Sequence, residues 1–220
     1  MVSSRKITQP VRPVAPYIGG KRNLAATLVD RIEAIPHITY AEPFIGMGGV
    51  FLRRRSAPKV EVINDLSRDV ANFFRILQQH YPQFLETLKW QVTIGARFDI
   101  TRLTPMLEDV HQRLSNVVIE CLPWEAFIPR YDRPETLFYL DPPYYGCESY
   151  YGPGFDRSQF EQLAQVLAGI KGRFLMCLND TPVVRSIFDD LHIDTVDATY
   201  SVNSGAAKRV TEVIISNICP

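Results

Sequence analysis

Thr136-Leu137-Phe138-Tyr139-Leu140-Asp141-Pro142-Pro143-Tyr144 is the stretch from which the rest of this chain can be read. Its first five residues have the β-branched and aromatic character of a buried strand. Two consecutive prolines lack N–H donors and fix φ, so the strand cannot continue and the backbone enters a rigid, extended turn. An acid and an aromatic ring are thereby presented just past a strand's carboxyl end, where open α/β sheets bind ligands.

Attack by an exocyclic amine suits such a turn. The amino nitrogen of adenine or cytosine is a weak nucleophile because its lone pair is delocalised into the ring. The Asp141 carboxylate and the Pro142 carbonyl can each accept one amino N–H. That aims the lone pair at an electrophile and stabilises positive charge as it develops on nitrogen. Pro143 stiffens the turn, and Tyr144 can stack on the base to hold a near-attack geometry. A Pro-Pro turn with an Asp cap and a packed Tyr uses the same four residues, and the tetrapeptide alone does not separate the two readings.

The totals bound the class. A chain of 220 residues suffices for one well-buried α/β domain. Apolar residues at 46% and charged residues at 22% describe an ordinary globule. No apolar run approaches a bilayer span, and Met1 to Lys6 lacks the apolar core of an export signal, so a cytoplasmic location is expected. Cys121, Cys147, Cys177 and Cys219 form no CxxC pair, which fits a reducing compartment and predicts no bound metal. Lys+Arg and Asp+Glu balance at 24 each, so nucleic-acid binding requires a local basic patch.

Working outward from the turn, residues 1–16 are polar and Pro-rich and read as an extended arm. Tyr17-Ile18-Gly19-Gly20-Lys21 is a glycine turn before a helix from Arg22 to Ile35. Ile38 to Ala41 reads as a strand, and Glu42-Pro43-Phe44-Ile45-Gly46-Met47-Gly48-Gly49 as a glycine turn leading into a helix at Val50-Phe51-Leu52. Glu42 at the strand end would repel a pyrophosphate and favour a cationic amino-acid ligand. Lys59 to Ile63 forms the next strand. Asn64-Asp65 at its tip occupies the place where α/β nucleoside sites bind ribose hydroxyls, and also reads as an Asx cap for a helix Ser67 to Leu77. Helix is expected from Ala71 through Leu88 and from Thr104 to Leu114, with a strand at Val117 to Cys121. Trp124 lines a purine pocket or simply packs.

Beyond the Asp141 turn, Tyr145 to Phe155 has the Gly and aromatic content of a mobile lid or a packed surface loop. A helix over Asp156 to Ile170 and a strand over Arg173 to Leu178 follow. Ile193 to Tyr200 and Thr211 to Asn217 alternate as two further strands, joined by a loop, Ser201 to Arg209, whose Lys208 and Arg209 can meet phosphates or water. Strand–helix units followed by an antiparallel pair predict a mainly parallel sheet with one reversed strand near an edge.

Together these pieces resemble the Dam-type (D12 class) DNA adenine N6-methyltransferases, which use S-adenosylmethionine. Pro16 to Lys21 is similar to that family's N-terminal cofactor motif, Glu42 to Gly48 to its cofactor glycine turn, Asn64-Asp65 to its ribose acid, and Asp141 to Tyr144 to its catalytic turn. The Ser201 to Arg209 loop is similar to its Ser-Asn-Gly and basic loop near DNA. The resemblance implies a Rossmann-like methyltransferase fold with a seven-stranded sheet in one domain over 1–220. It implies cofactor contacts from Tyr17, Gly20, Lys21, Glu42, Phe44, Gly46, Gly48, Asp65 and Asp141. Catalysis would fall to Asp141, Pro142, Pro143 and Tyr144, and DNA contacts to Tyr145, Asn203, Lys208 and Arg209. The implied partner is double-stranded DNA with its adenine flipped out, met by a monomer in a setting such as restriction–modification.

One departure stands out. Members of this family usually carry a target-recognition segment between the ribose acid and the catalytic turn. Here only about residues 91–101 are left over for it, too few for a DNA-reading domain. That stretch reads as a remnant or join, with a core that binds cofactor but does not dock DNA productively, or one acting on RNA or cytosine N4, as alternatives.

Overall fold

The structure, a computed structural model, describes residues 5–17, 21, 23–92, 99–147, 155–201 and 207–218. In chain order the elements are β1 Lys6–Ile7, α1 Ala25–Ala34, β2 Thr39–Glu42, β3 Ser56–Ala57, β4 Val60–Asn64, α2 Arg68–Gln79, α3 Tyr81–Val92 and α4 Ile100–Arg113. They continue as β5 Val117–Glu120, α5 Trp124–Tyr131, β6 Thr136–Leu140, α6 Arg157–Ala168, β7 Arg173–Asn179, α7 Pro182–Ile187, β8 His192–Ser201 and β9 Ala207–Ser216.

Seven strands form one sheet in the order β5-β4-β2-β6-β7-β9-β8. The first five run parallel, whereas β9 is antiparallel to both neighbours. This is the Rossmann-like methyltransferase fold with a reversed strand next to one edge. Strand order departs in opposite directions from β2 and β6, so the crevice for a ligand opens at their carboxyl ends. The glycine turn leaves β2 there, and the Pro-Pro turn leaves β6 beside it.

Both faces of the sheet are covered, which is why β6 reads as an unbroken apolar run. Its Leu137 and Tyr139 enter one buried cluster with Leu28, Ile32 and Phe74, while Phe138 and Leu140 enter the other with Phe160, Leu163 and Phe174. Asp99 caps α4 by accepting from the Thr101 and Arg102 amides, and Asp156 caps α6 through Ser158 and Gln159.

Several local expectations change. No full helix follows the glycine turn: only a 3₁₀ turn forms at Phe51–Arg53 before the chain extends into β3. Arg54 accounts for this. It is fully buried, donates to Glu61 at 2.6 Å, and lies over the Tyr40 ring at 3.8 Å, while Arg113 of α4 takes the same carboxylate at 2.7 Å. The N-terminal arm is tied down where β1 pairs with β3. The expected long helix from Ala71 is two helices that break at His80. α4 begins at Ile100, four residues earlier than expected, and α5 and α7 were not foreseen. Lys208 and Arg209 belong to β9, opposite Tyr200 and Thr199, rather than to the connecting loop.

Candidate active site

A cavity of about 1200 Å³ opens at the carboxyl ends of β2 and β6. Tyr17, Glu42, Phe44, Gly46 and Asp65 line one part of it, and Lys21, Asp141 and Pro143 another. Residues drawn from separate motifs along the chain therefore meet around one space.

The glycine turn is shaped by its backbone. Gly46 and Gly48 take φ of +49° and +73°, a region costly for residues with a Cβ. A Cβ on Gly46 would stand 2.7 Å from Cδ1 of Tyr17, so the tyrosine ring lies directly against the bare backbone. Asn64 locks the turn in place. Its amide donates to the carbonyls of Pro43 (2.9 Å) and Leu122 (3.0 Å), and its oxygen accepts from the Leu122 amide at 2.8 Å. The Ile45 amide donates to the Asn64 carbonyl at 2.9 Å.

Asp65 completes the cradle. One carboxylate oxygen accepts from the Gly46 amide and the other from the Ser67 amide, each at 2.9 Å. Ser67, not Asp65, caps α2. Burial raises the Asp65 carboxyl above its ordinary value, and the two amide hydrogen bonds pull it back. Glu42 is more enclosed, at 2% exposure, and accepts from the Tyr40 hydroxyl at 2.7 Å. Its burial pushes the carboxyl up to about 8, against the opposing effect of the Tyr40 hydrogen bond.

At the Pro-Pro turn the Lys21 ammonium organises the groups around it. It pairs with Asp141 Oδ1 at 2.7 Å, donates to the Tyr144 hydroxyl at 2.7 Å, and lies 4.2 Å from the Tyr144 ring centroid. One Asp141 oxygen is thus fixed by the lysine, orienting the carboxylate. Burial raises the Asp141 carboxyl to about 6, and Lys21 restrains the rise. For Lys21 itself, burial opposes the charge, but Asp141, Cys177 and Glu212 outweigh it and hold the ammonium charged.

The geometry assigns Lys21 to the Asp141–Tyr144 turn as well as to the cavity wall. Tyr145 packs elsewhere: its ring meets Phe160 edge-on with centroids 5.4 Å apart. Its backbone exchanges two 2.9 Å hydrogen bonds with the Asn179 side chain. Trp124 both packs and lines the cavity, donating through Nε1 to Gln159 at 3.0 Å. Gly20 and Asn203 lie outside the described residues, as do residues 93–98 of the expected join. Among the described residues, no group of three or more His, Cys, Asp and Glu is placed to hold a metal ion, and no helix is long and apolar enough to cross a membrane.

The family model of the D12 class N6 adenine-specific DNA methyltransferases matches residues 17–93 and 87–202. The chain belongs to this family. Among curated proteins, the Type II methyltransferase M1.LlaDCHI of Lactococcus lactis subsp. cremoris is 23% identical over 288 aligned positions, covering 94% of this chain and 95% of that one. The aligned length exceeds this chain's own 220 residues, so the relative carries internal residues that this D12 member lacks. Solved structures with a similar outline include the precorrin 8W decarboxylase encoded by gene MT0146 of Methanobacterium thermoautotrophicum, at TM-score 0.47 and 12% identity, covering 93% of this chain and 100% of that one. The ribosomal protein L11 methylase of Lactobacillus delbrueckii subsp. bulgaricus matches at TM-score 0.44 and 11% identity, covering 87% and 75%.

Sequence reasoning missed two partners of this D12 site, Cys177 and Glu212. Neither lies in a motif, and each reaches the site only through the strand order.

Proposed function

We propose that this D12 methyltransferase moves a methyl group from S-adenosylmethionine to N6 of an adenine flipped out of double-stranded DNA. The observation that carries the reading is the Lys21-clamped Asp141 carboxylate beside the glycine cradle in one cavity. The cradle fits the methyl donor: Gly46 lines the cavity without a side chain while Gly48 turns toward Leu52 and Phe74, Asp65 is a partly buried acid suited to ribose hydroxyls, and the buried Glu42 can take the methionyl ammonium. Tyr17 and Phe44 add apolar walls. When bound, the donor supplies an electrophilic methyl group on positively charged sulfur.

The chain's own residues then make the amine reactive. Asp141 Oδ1 is held by Lys21, which leaves Oδ2 to accept one amino N–H while the Pro142 carbonyl accepts the other. The lone pair is thereby aimed into the cavity. As nitrogen gains positive charge, Asp141 stabilises it and takes up the proton, a step suited to a carboxyl titrating near about 6. Tyr144 offers its ring for stacking, with Lys21 holding the hydroxyl end. By resemblance to the family's basic loop, Lys208 and Arg209 of β9, with Asn203, are assigned phosphate and groove contacts. Tyr145 is the weakest of the DNA-contact assignments, because its ring already packs on Phe160.

A second reading is a cofactor-binding core that does not dock DNA productively. The family match breaks into two segments that meet at 87–93, and the relative's alignment is longer than this chain. Both features support a shortened recognition segment between α3 and α4. Incubation with methyl-labelled S-adenosylmethionine and unmethylated duplex DNA, duplex RNA or single strands, followed by digestion to nucleosides, separates the readings. Label in N6-methyladenine from duplex DNA supports the proposal. Label in cytosine or RNA, or cofactor binding with no transfer, contradicts it.

A further inference from the structure

Beneath the Asp141 turn lies a second carboxylate that no motif contains. Glu212 sits on β9, and the reversal of that strand sets it opposite Asn179, at the carboxyl end of β7. It is fully buried, with Val213, Ile214 and Ile215 beside it in sequence, all core residues. A carboxylate in such surroundings is costly unless paired and hydrogen-bonded. The Cys177 thiol donates to its Oε2 at 2.9 Å, and the Lys21 ammonium stands 3.7 Å from the same oxygen. Tyr144, which accepts from Lys21, hydrogen-bonds Glu212 in turn.

Charge neutrality does not call for this residue. Among the described residues, Asp141 already pairs with Lys21 at 2.7 Å, and Glu212 is a second carboxyl beside the same ammonium at 3.7 Å. This second carboxyl lies under the turn where the proposed substrate amine becomes positive.

We propose that Glu212 is a positioning residue for methyl transfer, holding Lys21 and Tyr144 from below so that Asp141 is aimed at the substrate amine, and supplying the negative charge that balances the developing cation. The proposal rests on the methyl-transfer reading above. Among the described residues, the charged and titratable groups that face the cluster are Lys21, Glu42 of β2, Tyr139, Asp141 and Tyr144 of β6 and its turn, and Cys177 of β7. Of these, Lys21 is the cation. Glu212 is among the groups that raise the Asp141 carboxyl, after burial and against Lys21.

Glu212→Gln keeps the shape and an acceptor for the Cys177 thiol but removes the charge. Its kcat is expected to fall on the order of 10- to 100-fold, as for other misplacements of catalytic groups, with cofactor affinity retained. The acid limb of kcat/KM, which reports the free enzyme's essential base, is expected to move to lower pH because Asp141 loses a like-charged neighbour. A residue that merely filled space would lower the amplitude and leave the limb in place.

Carbon-13 NMR of labelled aspartate, with Asp141 assigned by its loss in Asp141→Asn, reads the same coupling without turnover. The Asp141 midpoint is expected to drop from about 6 in Glu212→Gln. Glu212→Asp, which keeps the charge one methylene further away, is expected to hold the wild-type midpoint more closely while kcat stays reduced. It serves as the test should Glu212→Gln not fold. An unchanged kcat, or an Asp141 midpoint unmoved by Glu212→Gln, overturns the proposal. Wild-type protein that transfers no methyl to any nucleic acid overturns the methyl-transfer reading instead, and the Asp141 titration still decides whether Glu212 couples to it.

Discussion

Replacing Lys21 with Met keeps most of the side-chain volume and deletes the ammonium that pairs with Asp141. In the wild type this ammonium is 1% exposed, 2.7 Å from Asp141, 2.7 Å from the Tyr144 hydroxyl and 3.7 Å from Glu212. Removing one partner of a buried ion pair leaves the other uncompensated and costs ~3–5 kcal/mol. The loss depends on pH. The folded-state Asp141 carboxyl titrates near about 6 rather than 3.8, with burial raising it and Lys21 restraining the rise. Without Lys21 the carboxyl holds its proton more tightly still. A carboxyl held above its unfolded value carries no penalty below that value and the full penalty above its folded value. The deficit of Lys21→Met is therefore largest near about pH 8 and shrinks toward about pH 4, as the carboxyl neutralises. Chemical denaturation of both proteins at the two pH values measures it. A deficit under ~1 kcal/mol at the higher pH, the range of exposed pairs, or one equal at both pH values, refutes the reasoning.

Burial raises Glu42 to about 8, so the carboxylate that an ammonium needs is largely protonated at neutral pH. Affinity for S-adenosylmethionine is expected to rise with pH up to that value with release of a proton, measurable by calorimetry in buffers of different ionisation enthalpy. Binding without proton release contradicts the Glu42 role. Gly46→Ala places a Cβ 2.7 Å from the Tyr17 ring at φ +49°. A left-handed residue with a Cβ costs ~1–2 kcal/mol, so lower stability and weaker cofactor binding are expected by denaturation and titration. Asp65→Ala is expected to weaken cofactor binding without changing kcat at saturation; unaltered affinity in a direct binding assay counts against its ribose role.

Legibility followed the range of the interactions. The β6 strand and its Pro-Pro turn are coded by adjacent residues, and so are the glycine turn after β2 and the acid after β4. Each element could be read where it stood, and strand–helix order then brought them to the carboxyl ends of neighbouring strands. The 3₁₀ turn at Phe51–Arg53 reads as a helix in the sequence because Val50, Phe51 and Leu52 are apolar, while the deciding contacts, Arg54 and Arg113 each donating to Glu61, join three distant segments. The break at His80 is hidden because Phe84, Leu85 and Leu88 extend the apolar pattern of α2. Lys21 was legible as a motif residue but not as the clamp on Asp141, and Cys177 and Glu212 looked like ordinary positions on apolar strands. Antiparallel pairing of β9 with β7 is what turns them into neighbours.

Single-turnover transfer of labelled methyl to duplex DNA by wild type and Asp141→Ala, each saturated with S-adenosylmethionine, tests the central claim most directly. The account predicts that the variant binds cofactor yet transfers ~100-fold or more slowly, as expected when a transition-state hydrogen-bond partner is lost. Equal rates for the two proteins would show that Asp141 does not hold the amine and would contradict the account.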